Sequence, residues 1–600
     1  MKRNVVRLAL VGGLALGACA PQTPAGAPAP RDAAGTFTVD TAATARMVNA
    51  VADEYMAALL ERNPELVTFY GLPDGRHDRL TDNSPAALRA WRAREDAWLA
   101  SMAAMDPAPL DGRPERATYA ILRDALESAV ATRACRNELW PVNQLTGWQA
   151  NLPFLAQIQP VGTPELRAQT LARWRAIPGY LDNEVAALRE GMRLGYTTPR
   201  VNVRRVLGQL DGLLADPAPT SPFMAPAGRD STPEFRRELE GVVGTQVLPA
   251  VRRYRDFLRD TYLPAAREDV AVSANTGGAA CYPATLRSFT TLELTPREVH
   301  EMGLRQMEQI QREMREIARR SFATDDVPGL LQRFRTDPRY TFRTRAEMVA
   351  YARGALDRAK REMPKWFGTL PKADVVIEPY PEFQEASAPG GEYFGPSEDG
   401  SRPGTYRINT YRPETRSKVG LESTAFHETI PGHHLQGAIA QEQQGSHAIA
   451  RFLFNSGYAE GWGLYSERLA DEMGLFSSDM DRMGLLSNEA LRAARLVVDP
   501  GMHALGWTRR QAVDYMLGHT AESRDAVETE VDRYINWPGQ ATAYMVGNLE
   551  IRRLRALAER ELGPKFDVRE FHDVVLRAGS VPLTLLGHNV ELWIARRKAS

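Results

Sequence analysis

The sequence predicts a mainly α-helical protein, with one small β-sheet beside the segment that carries its chemistry. The first observation is periodicity. ATARMVNAVADEYMAALLER, RAQTLARWRAIPGYLDNEVAALREGMRLG and PREVHEMGLRQMEQIQREMREIARRSF repeat apolar residues three and four apart, which places them on one face of a helix. The second is punctuation, with breaks at Asn63-Pro64, Pro107 to Pro114, Asp216 to Pro226 and Gly277-Gly278. The third is the scarcity of strands. Only ADVVIEPY (373–380) and GTYRINTY (404–411) alternate and are rich in β-formers, and they flank the Gly/Pro-rich SAPGGEYFGPSEDGSRPG.

Six hundred residues exceed one ordinary domain. With no internal repeat of 20–50 residues, residues 40–600 read as one helical domain with its site-bearing half at 280–600. With 43% hydrophobic and 25% charged residues the chain builds a core, which excludes disordered, collagen-like and disulfide-scaffold classes. A net charge of −1 gives no bulk field for nucleic acid or an anionic bilayer. Only seven of the 74 basic residues are Lys, leaving 67 Arg, an excess that reflects a GC-rich genome more than a ligand. Three Cys are too few for a zinc ribbon or an iron–sulfur cluster.

The N-terminus reads as an address. Lys2, Arg3 and Arg7 precede a short apolar run from Leu8 to Leu16, too short to span a bilayer as a mature helix. Leu16-Gly17-Ala18-Cys19 resembles a bacterial lipobox, so residues 1–18 are expected to be a signal peptide and Cys19 the lipidated residue. The Ala/Pro-rich residues 19–39 form a tether. The expected location is the cell envelope, as a periplasmic lipoprotein held at the outer membrane through its lipid alone. In an oxidising periplasm the two remaining thiols, Cys135 and Cys281, are expected to pair.

Three of ten His fall within eight residues, His427-Glu428-Thr429-Ile430-Pro431-Gly432-His433-His434. Imidazoles hold zinc, and a neighbouring carboxylate that is not a ligand takes a proton from the water. On an unbroken helix His433 would face about 240° away from His427, and His434 would lie roughly 10.5 Å along the axis. Pro431 cannot continue such a helix. Looping out Pro431-Gly432 puts His433 into register as the preferred ligand and leaves His434 in a supporting or substrate-contacting role. The segment NSGYAEGWGLYSERLADEMG then offers Glu460, Glu467 and Asp471 on one helical face, with Glu460 the expected third ligand.

HETIPGHHLQ, YAEGWGLYSERL, RLVVDPGMHALGWTRRQAVDYM and EVDRYINWPGQATAYMVGNLEI together resemble the bacterial domain-of-unknown-function 885 family over nearly all of the mature chain. The resemblance implies a large helical zincin-like metallopeptidase architecture, distantly similar to the carboxypeptidase Taq type. The family's His-Glu…Pro-Gly-His motif falls on His427, Glu428 and His433, and its Glu-Gly-Trp element on Glu460.

Other blocks read as walls of the same site. His503 and Tyr544 each follow a Pro-Gly step and are candidate catalytic groups, Tyr544 as an oxyanion donor. Arg495 and His434 are candidate substrate contacts, Arg495 through a carboxylate. GTYRINTY is a candidate edge strand for an extended peptide. The expected function is a zinc-dependent hydrolase of peptide or other amide bonds, with Zn²⁺ on His427, His433 and Glu460 and Glu428 as general base. The alternative is a non-catalytic envelope binding module on the same fold. The chain has no G-x-S-x-G elbow, P-loop or dinucleotide fingerprint.

Overall fold

The computed structural model describes residues 40–72, 75–385, 390–397, 402–443, 445 and 447–600. The expected signal peptide, Cys19 and the tether lie outside the described residues. From Thr41–Arg62 to Leu583–Ala599 the chain runs almost entirely through helices. No helix among the described residues is long and apolar enough to cross a membrane.

Two helix pairs organise the site-bearing half. Pro296–Phe322 opens with a capping box, Thr295 and Glu298 satisfying each other's backbone N–H, and packs along Asp479–Ala504. Ser456–Glu472 packs as closely on Ala543–Leu562. Glycine permits that second approach. A Cβ on Gly461 would sit 2.5 Å from the Gly547 Cα, and one on Gly547 would sit 1.8 Å from the Gly457 carbonyl oxygen.

Three apolar clusters form the core. The first joins residues 45–126 to the C-terminal half, through Tyr55, Leu122, Phe426, Trp462 and Leu586. The second surrounds Asp479–Ala504, and the buried residues of the third all fall within 142–266. The opening helices therefore share their interior with the site-bearing half, and the unit with its own core is the middle of the N-terminal half. The Cys135–Cys281 disulfide is present, with Cα atoms 4.6 Å apart across a separation of 146 residues. It ties the start of the middle segment to the Cys281–Thr290 helix.

The sheet has three strands in the order β1-β3-β2: β1 (Val375–Pro379), β2 (Gly391–Phe394) and β3 (Gly404–Ile408). Two match the expected strands, and β2 lies in the segment read as loop. β3 runs parallel to β1 and antiparallel to β2. This corrects the edge assignment. The strand in GTYRINTY is central, with both sides hydrogen-bonded, so no peptide can add to it; β1 and β2 are the edges.

Candidate metal centre

The motif-bearing segment folds as two helices rather than one with a bulge. Leu421–Glu428 ends where Thr429 leaves helical geometry (φ −106°, ψ −112°), and His433–Glu442 begins after Gly432. Gly432 is required at the break, because a Cβ there would lie 2.0 Å from the His427 carbonyl oxygen. The Trp462 indole N–H donates to the Pro431 carbonyl at 2.9 Å and pins the turn against Ser456–Glu472. The turn brings the His427 and His433 rings edge to face, 4.6 Å between centroids.

Glu460 completes a cluster. One ligand atom from each of His427, His433 and Glu460 lies within 4.8 Å of the others. Glu460 Oε2 is 3.8 Å from Nε2 of His427 and 3.6 Å from Nε2 of His433. Behind His427, Glu467 Oε1 is 2.8 Å from Nδ1. Ser423, one turn ahead of His427 on its helix, donates its hydroxyl to the other Glu467 oxygen. Glu467 thereby fixes the tautomer that leaves Nε2 of His427 free as a ligand atom. Between the two acids Gly463 leaves the floor open, since a Cβ there would fall 2.6 Å from the His427 ring.

Charge at the centre favours a cation. Burial alone would lower the His427 pKa, but Glu460, Glu467 and Glu428 outweigh it and push it up to about 10. Burial would raise Glu460, and the two imidazoles instead hold it well below the usual carboxylate range. Two imidazole nitrogens and one carboxylate, with a hydrogen-bonded acid behind the first, form a donor set that fits Zn²⁺. Glu428 stands outside this ligand group, half-buried, with no side-chain hydrogen bond or ion pair among the described residues.

Residues 64–590 match the family described as "Bacterial protein of unknown function (DUF885)". The chain belongs to the DUF885 family. It is similar to the crystal structure of a candidate lipoprotein from Colwellia psychrerythraea. The two share 27% identity, with 92% of this chain and 99% of that one covered at a TM-score of 0.84. A candidate lipoprotein of unknown function from Shewanella oneidensis matches at 17% identity, over 91% of this chain and 99% of that one, with a TM-score of 0.74. That second likeness is one of fold. No curated protein matches the chain.

In this DUF885 protein the remaining expected site residues divide. Tyr544, at the start of Ala543–Leu562, feels the Glu460 charge; burial first and that charge second raise its pKa. Its hydroxyl has no hydrogen-bond partner among the described residues. Arg495 lies over the Tyr544 ring at 4.7 Å, but its guanidinium is committed to Glu530 at 2.8 Å and the Tyr534 hydroxyl at 2.9 Å. Only Nη1 lacks a partner, so the expected bidentate grip on a substrate carboxylate has no free edge.

For His434 the substrate-contacting role is corrected and the supporting one remains. It is buried, accepts from the Tyr393 hydroxyl at 3.0 Å and donates to the Ala373 carbonyl at 3.0 Å, joining its helix to the sheet. His503 is corrected as well. The Val272 N–H donates to its Nδ1 at 3.1 Å, its Nε2 donates to the Tyr534 carbonyl at 3.0 Å, and it stacks on Tyr282. With both nitrogens used and no exposed surface, His503 is a structural group and cannot act on a substrate. Asp471 pairs with Arg482 at 2.8 Å, away from the cluster.

Two residues carry more than the sequence reading assigned them. Glu467 was visible only as an acid two turns beyond Glu460. Tyr406 of β3 is fully buried within reach of the Glu428 charge, and its hydroxyl is without a partner among the described residues. Its signal was its place in the strand nearest the His-Glu motif.

Proposed function

We propose that the chain is a zinc-dependent hydrolase of peptide bonds, with a zincin-like site on His427, His433 and Glu460 and with Glu428 as general base. The observation that carries the reading is the convergence of these three ligand groups within 4.8 Å, with Glu467 turning His427 toward them. Zinc, when bound, supplies Lewis acidity that makes a water nucleophilic near neutral pH and polarises a carbonyl. Glu428 follows His427 on the same helix and has a free carboxylate, so it takes the proton from the attacking water and returns it to the leaving amine. Tyr544 donates its free hydroxyl to the developing oxyanion. Lipidation of Cys19 would hold this body in the envelope, at the outer membrane. Its similarity to a chain described as a candidate lipoprotein supports the envelope location.

The test is digestion of a peptide library by the purified protein, with and without a zinc chelator, beside Glu428→Gln. The wild type should cleave, lose activity to chelator and regain it with zinc. Glu428→Gln should keep the metal and lose several orders of magnitude in turnover. Equal hydrolysis by the variant would remove Glu428 from the mechanism, and an inert zinc-loaded wild type would favour the envelope binding module.

A further inference from the structure

We propose that the cavity between the 142–266 unit and the Cys281–Thr290 helix binds an organic cation, an alkylammonium or guanidinium group. The cavity measures about 460 Å³, and Trp140, Trp148, Tyr180, Phe289 and Trp537 line it together with Glu184. That size suits one small ligand or a single side chain. Among the described residues Glu184 is the only Asp, Glu, Lys or Arg in its lining, in a chain with 67 Arg. Its side chain is more than nine-tenths buried, and its Oε2 has no hydrogen-bond partner among the described residues.

A carboxylate in such a place lacks the countercharge that its ionised form requires. Burial accordingly pushes Glu184 up to about 8, although the Tyr254 hydroxyl and the Trp148 indole face it. The titratable groups beside it are Tyr180 and Tyr254, both neutral at physiological pH. An incoming ammonium or guanidinium supplies the missing charge, and the aromatic faces attract it through their quadrupoles. An anion would meet only the carboxylate, and a neutral alkyl group would bring no countercharge.

One wall of the cavity packs on the helix that carries Glu460. The Phe289 carbonyl packs against Gly457, less than one turn ahead of Glu460 on the same helix. A basic side chain of a peptide held near Glu460 is therefore one source of the cation, and a free amine is the other. Cation binding itself does not depend on the hydrolase reading.

The test is calorimetric titration of the full chain with butylammonium and butylguanidinium, with butanol as the neutral control. Both cations should bind, and butanol at least tenfold more weakly. Glu184→Gln, which keeps the shape and removes the charge, should weaken cation binding at least tenfold; Trp537→Ala, at the exposed rim, should weaken it several-fold without disturbing the fold. Competition by a lysyl peptide, and not by its norleucine counterpart, would identify a basic side chain as the source. Binding without such competition would identify a free amine. Butanol binding as well as butylammonium, or cation affinity unchanged in both variants, would overturn the proposal. The heat signal needs no turnover, so an inactive enzyme leaves the result readable.

Discussion

Glu467 stands behind His427, its Oε1 2.8 Å from Nδ1, while Glu460 faces the opposite ring nitrogen from two turns earlier on the same helix. One imidazole is thus held between two acids of Ser456–Glu472, and Gly463 supplies the space it occupies.

Glu467→Gln tests the rear contact. The amide keeps the shape but no longer compels Nδ1 to carry the proton, so zinc affinity should fall about 10–100-fold with the fold intact. Competition with a calibrated chelator measures it; unchanged affinity would mean that Glu467 only fills space.

Gly463→Ala tests the floor. Its methyl group would meet His427 at 2.6 Å, displacing the ring and abolishing metal binding. Gly208→Ala is the control, because that helical position has open space around it. It should raise stability by about 0.4–1 kcal/mol in thermal unfolding.

Replacing Cys135 and Cys281 together by Ala should cost about 2–5 kcal/mol, the typical loss for a native disulfide closing a long loop. Denaturant unfolding measures it. Zinc affinity should hold, since neither Cys touches the ligand group.

His503 governs part of the acid response. Burial depresses its pKa to about 4 despite the bond to the Tyr534 carbonyl. The unfolded chain takes up this proton below about 6.5 and the folded chain does not until about 4. Stability is therefore full above pH 6.5 and falls toward pH 4, by on the order of 1.4 kcal/mol per unit. His503→Gln lacks this slope. The stability gap between wild type and variant should be widest above pH 6.5 and narrow toward pH 4, as followed by urea unfolding.

Much of the centre was legible in the sequence, because its parts are local. Pro431-Gly432 forbids a continuous helix, which selects His433 over His434, and Glu460 lies on a strongly periodic segment. What spacing could not show was which groups meet across elements. Glu467 reads as another acid on a helix face until the Leu421–Glu428 helix is laid against it. His503 after Pro-Gly reads as a loop residue, yet Pro500 lies inside the Asp479–Ala504 helix and the ring points into the core. β3 looked like an edge because β2, which covers one of its sides, is four residues long and hidden among glycines.

The most direct measurement is an anomalous difference map at the zinc edge from crystals of the zinc-loaded protein. One peak per chain is expected, about 2.0–2.2 Å from Nε2 of His427, Nε2 of His433 and a Glu460 oxygen, with Glu428 near but not bonded. No peak among these residues, or a peak ligated by His434 or His503 instead, would contradict it.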